Sequence, residues 1–240
     1  MANTAKGASV KTSATAPKKV QFLSRYTSLP IALDVLVQKR ITLLSPETWE
    51  DRNDAYFLER YREEMKLQSV LAICFSRHRE TFHHWRVFSS GASGVCIEFD
   101  NSLLQSIANK QGYRHGNVEY HWIKDFRKDK RKDTPEVDKW PFLKRKPFED
   151  EREYRIIFET KTDGLRAHSI SISLASIRKV TLSPWLPEAV ATSVVGIIRS
   201  IPGCAGLNVS RSSLLDNAGW RAVINKETAE KPHKVARVRR

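Results

Sequence analysis

Short runs rich in β-branched and aromatic residues recur along the central part of the sequence, and prolines or polar residues end each run. Runs of this kind predict strands. Few helical segments separate the later runs, which favours antiparallel pairing. We therefore expect an α+β fold: one domain with a mostly antiparallel β-sheet core, split or continuous, flanked by short helices. The predicted strands are Val20–Ser28, Ile41–Ser45, Val70–Phe75, Gly94–Phe99, Val118–Ile123, Tyr154–Glu159, Ser169–Leu174, Ile177–Leu182 and Leu207–Ser210.

Helices are predicted where apolar residues recur at helical spacing. The third of them begins at an Asn-Ser pair suited to capping, and the fourth has a proline in its first turn. A highly charged stretch, 124–139, is expected to be a solvated loop or helix. The predicted helices are Ile31–Arg40, Glu80–Ser90, Asn101–Lys110 and Pro187–Arg199.

The positive charge of the chain is concentrated at its two ends. The 240 residues carry a formal net charge of +14, of which residues 1–19 supply four lysines and no acid. Residues 221–240 add seven basic and two acidic residues. Both ends are rich in polar residues without apolar periodicity, which indicates disorder. We expect a disordered basic arm at 1–19, the α+β domain at 20–215 and a basic C-terminal tail at 216–240.

Other sequence features exclude several classes of protein. Three cysteines without a Cys-x-x-Cys pair predict neither a disulfide framework nor a zinc site, and the seven histidines lack metal-ligand spacing. No apolar run approaches the roughly 18 residues that cross a bilayer. Phosphate-binding glycine loops and the Gly-x-Ser-x-Gly elbow are also missing from the sequence. We expect a cytoplasmic protein without metal and without a membrane partner.

The segment that leads into the strand at Tyr154 carries the strongest candidate chemistry. Residues alternate between the faces of a strand, so Glu151, Glu153 and Arg155 are expected to share one face. Two carboxylates beside a guanidinium suit a site that orients a ligand hydroxyl or stabilises developing positive charge. The structural alternative is a solvated strand face with ordinary ion pairs.

Three further clusters are candidates for ligand contact. Each also has a structural explanation, since Asn and Asp commonly cap helices and Trp and Tyr commonly pack in cores. The clusters are Ser45 to Asp54, with Trp49, Asn53 and Asp54; Arg25-Tyr26; and Cys74-Phe75-Ser76 leading to Trp85.

In this order, these pieces resemble the bacterial domain-of-unknown-function family 2971 over about residues 21–200. The chain departs from the family pattern at Ala55-Tyr56-Phe57, where the family has Pro-Phe-Glu, and at Phe148, where it has Trp. The resemblance rests on Arg25-Tyr26-Thr27, Leu44-Ser45-Pro46, Asn53-Asp54, Glu59, Cys74-Phe75-Ser76, Trp85, Gly94-Val95, Val118-Glu119-Tyr120, and Lys146 through Glu151, Glu153 and Arg155.

The pattern is more distantly similar to ADP-ribosyltransferases, which implies NAD as co-substrate. In that resemblance Arg25 with Tyr26 would contact the NAD phosphates and ribose, and Ser45 would brace the nicotinamide ribose. Glu153, next to Glu151, would bind the ribose 2′-hydroxyl and stabilise the charge that develops as nicotinamide leaves, with Arg155 keeping it ionised. The resemblance implies a nucleic acid or protein target and an effector in phage defence or a toxin-type system.

Two alternatives from other classes stay open. The positive charge and a basic cleft in the sheet would also suit a non-catalytic nucleic-acid-binding or nucleotide-binding module, in which Trp49 and Trp85 would be stacking surfaces. The third interpretation is a scaffold whose basic tails recruit an acidic partner.

Overall fold

Eleven strands and six helices make up the part of the chain that the structure, a computed structural model, describes: residues 22–126 and 135–230. The strands are β1 (Phe22–Ser28), β2 (Arg40–Leu44), β3 (Ser69–Ser76), β4 (Gly94–Asp100), β5 (Arg114–Asn117), β6 (Glu119–His121), β7 (Leu143–Arg145), β8 (Glu153–Thr160), β9 (Ala167–Ser171), β10 (Ile177–Leu182) and β11 (Val209–Arg211). The helices are α1 (Leu29–Gln38), α2 (Arg52–Glu64), α3 (Phe82–Phe88), α4 (Asn101–Lys110), α5 (Glu188–Ser200) and α6 (Ala218–Glu230).

Nine of these strands form one sheet in which every neighbouring pair is antiparallel except β10 with β11. Along one edge, β3 pairs with β8 over its whole length, and β8 in turn pairs with β5. Two strands share the other edge of β3: Ala72 pairs with Leu44 of β2, and Ser76 pairs with Ser24 of β1. The sheet therefore divides at β3, which confirms the expected mostly antiparallel α+β domain. The small strands β6 and β7 form a separate parallel pair.

Helices cover both faces of the sheet. On one face α1, α4 and α5 bury their apolar residues against Leu23, Ile73 and Ile156 in the main core. On the other face α2 packs on Val70 and Ile157, and α3 packs on β1. Since residues alternate along a strand, Glu153 and Arg155 lie on the same face as Ile157, beneath α2.

The predicted elements are largely present, with several differences. Helix α4 and strand β10 have the predicted bounds, whereas α2 lies where we expected only the start of a helix after a loop. Of the strand predicted at Val118–Ile123, only β6 (Glu119–His121) is present, and β5, which ends at Asn117, was not predicted. Val118 lies between them and donates its N–H to the Glu153 carbonyl at 3.0 Å.

The segment expected as a C-terminal tail contains helix α6. Its sequence has two helix signals that composition obscures: the Asn217 side chain accepts from the Trp220 N–H, and Trp220, Val223 and Ile224 recur at helical spacing. Residues 1–21, 127–134 and 231–240 lie outside the described residues, and with them the expected N-terminal arm and half of the charged stretch at 124–139. In the described ranges, no helix is long and apolar enough to cross a membrane.

Candidate active site

A cavity of about 380 Å³ opens where β1, β3 and β8 lie side by side. Its walls combine aromatic side chains with an excess of acidic ones. The cavity is therefore acidic although the chain as a whole is basic, and it differs from the basic cleft that the nucleic-acid-binding alternative requires. The lining residues are Ser24, Arg25, Tyr26, Trp49, Glu50, Asp51, Asp54, Cys74, Phe75, Ser76, Val87, Phe88, Lys144, Phe148, Glu151 and Glu153.

Arg155 lies behind the cavity wall and is fully buried, with 0% of its surface exposed. Its Nε donates to Glu153 Oε1 at 2.7 Å, and its two terminal nitrogens donate to the Asp54 carboxylate at 3.0 and 2.7 Å. A fourth hydrogen bond reaches the Pro141 carbonyl at 2.8 Å, and the guanidinium lies 5.0 Å from the Trp49 ring centre. This pairing fixes Glu153 of β8 against Asp54 of α2, residues far apart in the sequence.

Lys144 of β7 supplies the second buried cation. Its Nζ lies 2.6 Å from Glu151, 3.4 Å from Glu153 and 3.5 Å from Asp54. Burial lowers the pKa of Lys144, but the three carboxylates outweigh burial and raise that pKa above its usual value. Two buried cations therefore face three carboxylates, which leaves the cluster one positive charge short.

The two glutamates of the cluster have opposite pKa shifts. Burial would raise the pKa of Glu153, but the charges of Arg155 and Lys144 outweigh burial and lower that pKa, so Glu153 stays ionised. Burial raises the pKa of Glu151 to about 7, and Lys144 only partly opposes this shift. Two neighbouring carboxylates with divergent pKa values are typical of sites that combine a fixed charge with a proton carrier.

Glu151 does not share the strand with Glu153 and Arg155, as we had expected. It ends a 3-10 helix, Lys146–Glu151, and Arg152 follows with a positive φ of 43°, which breaks the alternation before β8 begins. Lys144 nevertheless brings the Glu151 side chain to the other two residues. A hydrogen bond from β3 holds the turn at Glu151 and Arg152 in place: Ser76 Oγ donates to the Glu151 carbonyl at 2.8 Å.

Arg25 and Tyr26 of β1 also line the cavity. Beyond the single β1–β3 pair, Arg25 Nη1 donates to the main-chain oxygen of Cys74 at 2.9 Å. Tyr26 packs edge-on against Trp85, with ring centres 5.2 Å apart.

Ser45, Asn53 and Trp85 lie outside this cavity. Ser45 follows β2, and β2 pairs with β3 at Ala72. Glu153 pairs with Ser76 of β3, four residues further along, which is about 13 Å away along the strand. Ser45 and Asn53 line two other cavities. Trp85 is 0% exposed and donates to Glu80 at 2.7 Å, so the stacking surface expected of it is wrong.

Lys144 is the residue of this site that sequence reasoning missed. It lies in a three-residue strand beside a highly charged segment, and a lysine there is typical of a solvated surface. Only the parallel pairing of β7 with β6 carries it beneath the carboxylates. No local pattern in the sequence contains that information.

A family model described as "Protein of unknown function (DUF2971)" matches residues 84–156. The expected resemblance to this family is confirmed over that segment, which contains Lys144, Glu151, Glu153 and Arg155 but not Arg25. No curated protein matches the chain.

Among solved structures, the chain is similar to Thermus sp. 2.9 DarT in complex with ADP-ribosylated ssDNA. The TM-score is 0.41 and the sequence identity is 9%, over 81% of this chain and 95% of that chain. Similarity at this level assigns no activity, so the chemistry of the cavity has to indicate the function.

Proposed function

We propose that the protein is an ADP-ribosyltransferase-like enzyme that uses NAD as co-substrate and breaks the bond between nicotinamide and ribose. One observation carries the proposal: a buried, ionised Glu153 lies on the wall of an acidic cavity of ligand size. An ionised carboxylate held away from bulk water is suited to a positive charge that develops nearby.

The charge of the cavity fits the reactive end of NAD. The nicotinamide ring of NAD is a cation, and the buried cluster is one positive charge short when Glu151 is ionised. The Trp49 and Phe148 rings on the wall add faces on which a cationic ring can lie. Arg25 is the cation of the cavity that lies outside the cluster, and it would contact a phosphate or ribose of the same molecule.

Glu153 would act on the ribose. When the glycosidic bond breaks, nicotinamide leaves as a neutral molecule with the bonding electrons, and the positive charge moves to the ribose ring. Glu153 would accept a hydrogen bond from the ribose 2′-hydroxyl and stabilise that charge, while Arg155 and Lys144 hold the carboxylate in place.

Glu151 would serve the second half of the reaction. An acceptor nucleophile that attacks the ribose carbon has to lose a proton. A carboxylate with a pKa of about 7 binds and releases protons near neutral pH, and Glu151 lies on the same cavity wall as Glu153. We propose a nucleic acid or a protein as the acceptor, and a role as a cytoplasmic effector in phage defence or a toxin-type system.

The test is NAD turnover by the full chain and by Glu153→Gln. Release of nicotinamide, and transfer of label from adenine-labelled NAD to nucleic acid and protein fractions of a lysate, would be measured. We expect Glu153→Gln to lower the rate about 100-fold or more, as the loss of a transition-state contact does. Circular dichroism checks that the variant is folded.

Glu159→Gln is the matched control, because Glu159 lies on the same strand and does not line the cavity. It should keep the wild-type rate. An unchanged rate in Glu153→Gln would remove this residue from the mechanism. A wild-type chain that binds NAD without consuming it would instead support a nucleotide-binding module and overturn the enzymatic proposal.

A further inference from the structure

A second and larger cavity, of about 520 Å³, adjoins the candidate active site. The loop after β2 separates the two cavities: Ser45 to Glu47 line the larger one, and Trp49 to Asp51 line the acidic one. The first turns of α2 make the same division, with Arg52 on one side and Asp54 on the other.

The larger cavity has the opposite charge character. Three arginines line it, and one of them, Arg62, is paired with Glu59 at 2.6 Å. Among the described residues, Arg52 donates only to the main-chain carbonyl of Glu47, at 3.2 Å. The Arg166 guanidinium has no hydrogen bond or ion pair to any described residue. Two guanidinium groups without a carboxylate partner therefore face the cavity, against the one remaining acid, Glu47.

Neutral donors complete the set. The Ser45 hydroxyl accepts from the Glu47 N–H at 3.4 Å, so its own proton is free to be donated. Gln68, which carries a side-chain amide, and the exposed Tyr56 line the same cavity.

We propose that this cavity binds a phosphate-bearing group. Guanidinium groups match phosphate oxygens with two parallel hydrogen bonds, and a hydroxyl and an amide supply further donors to the same oxygens. Outside its ion cluster the acidic cavity offers a phosphate only Arg25 among the described residues, so the dividing loop separates a site suited to a cationic ring from a site suited to anions. The phosphates could belong to a nucleotide or to a nucleic-acid strand, which present the same chemistry.

The experiment is a calorimetric titration of the full chain with inorganic pyrophosphate. We expect saturable binding that weakens about fivefold or more in Arg166→Ala and in Arg52→Ala, and more than tenfold in the double variant. Arg199→Ala is the control: it removes the same charge from α5, which lines neither cavity. Its affinity should equal that of the wild type.

Non-saturable binding would overturn the inference, and so would an equal loss in Arg199→Ala, because either result would mean that the overall charge attracts the anion. Competition by adenosine diphosphate or by a single-stranded oligonucleotide then identifies the source of the phosphate. The inference does not depend on the proposed function, since the measurement detects binding and not NAD turnover.

Discussion

Replacement of Arg155 by leucine tests whether the buried ion cluster holds the candidate site together. The side chain is fully buried and donates four hydrogen bonds, three of them to carboxylates. Without it, Asp54 and Glu153 stay buried and share only Lys144, at 3.5 and 3.4 Å.

The expected cost follows from burial. Removal of one partner from a buried ion pair leaves an uncompensated charge and costs about 3–5 kcal/mol. For a chain of this length each kcal/mol lowers the melting temperature by about 2–4 °C, so we expect a decrease of about 6–20 °C. The pKa of Glu153 should rise in the variant, because Arg155 is the larger of the two charges that lower it.

Urea unfolding followed by circular dichroism measures the difference, and Arg60→Leu is the matched control. Arg60 also pairs with two carboxylates, Glu63 and Glu64, but its side chain is 42% exposed. We expect the control to lose less than about 1 kcal/mol. If the two variants unfold within 1 kcal/mol of each other, the buried cluster does not have the energetic role that its geometry indicates.

Three further substitutions have expected signs. Burial raises the pKa of Glu151 from 4.5 to about 7, so the wild-type folded state loses stability as pH rises through that range. Glu151→Gln lacks this titration, so the stability of the variant relative to the wild type should increase from pH 5 to pH 8. Urea midpoints at the two pH values measure this, and an equal difference at both would contradict it. Gly94→Ala should lower the melting temperature, because a Cβ there would lie 2.6 Å from Ser89 Oγ. Gly196→Ala should raise the melting temperature, because alanine stabilises a helix by about 0.5–1 kcal/mol relative to glycine and a Cβ at this position of α5 would meet open space. A melting temperature of Gly94→Ala above that of Gly196→Ala would refute the comparison.

Local signals in the sequence were sufficient for elements that local interactions stabilise. Helix α4 has the predicted bounds because its apolar spacing is regular, although its cap is not the expected Asn-Ser pair: the Asp100 side chain accepts from the Leu103 N–H. Strand β10 has its predicted bounds because its run of β-branched and apolar residues lies between Ser176 and Ser183. The pairing of Glu153 with Arg155 also follows from the two-residue period of a strand.

Tertiary contacts decided the rest of the site. Ser45 and Arg25 both follow the expected order along the chain, but β2 and β1 meet β3 at different positions, so only Arg25 reaches the cavity of Glu153. Strand order does not contain that register. Lys144 likewise enters the cluster through the pairing of β7 with β6, which no periodicity in its charged neighbourhood predicts.

The acidity of the cavity has a physical origin that composition cannot reveal. A net charge of +14 counts every side chain equally, whereas a buried cation is stable only with carboxylates around it. Arg155 and Lys144 pair with three carboxylates, those of Asp54, Glu151 and Glu153. Two positive charges balance only two of these carboxylates, so the cluster is neutral when one of the three carries a proton. Glu151 is the most exposed of the three, so its proton and a cationic group of a ligand are interchangeable ways to neutralise the cluster. On the proposed function, the cationic nicotinamide ring of NAD would displace the proton from Glu151 as it binds, and the Glu151 carboxylate could then accept the proton that the acceptor nucleophile loses.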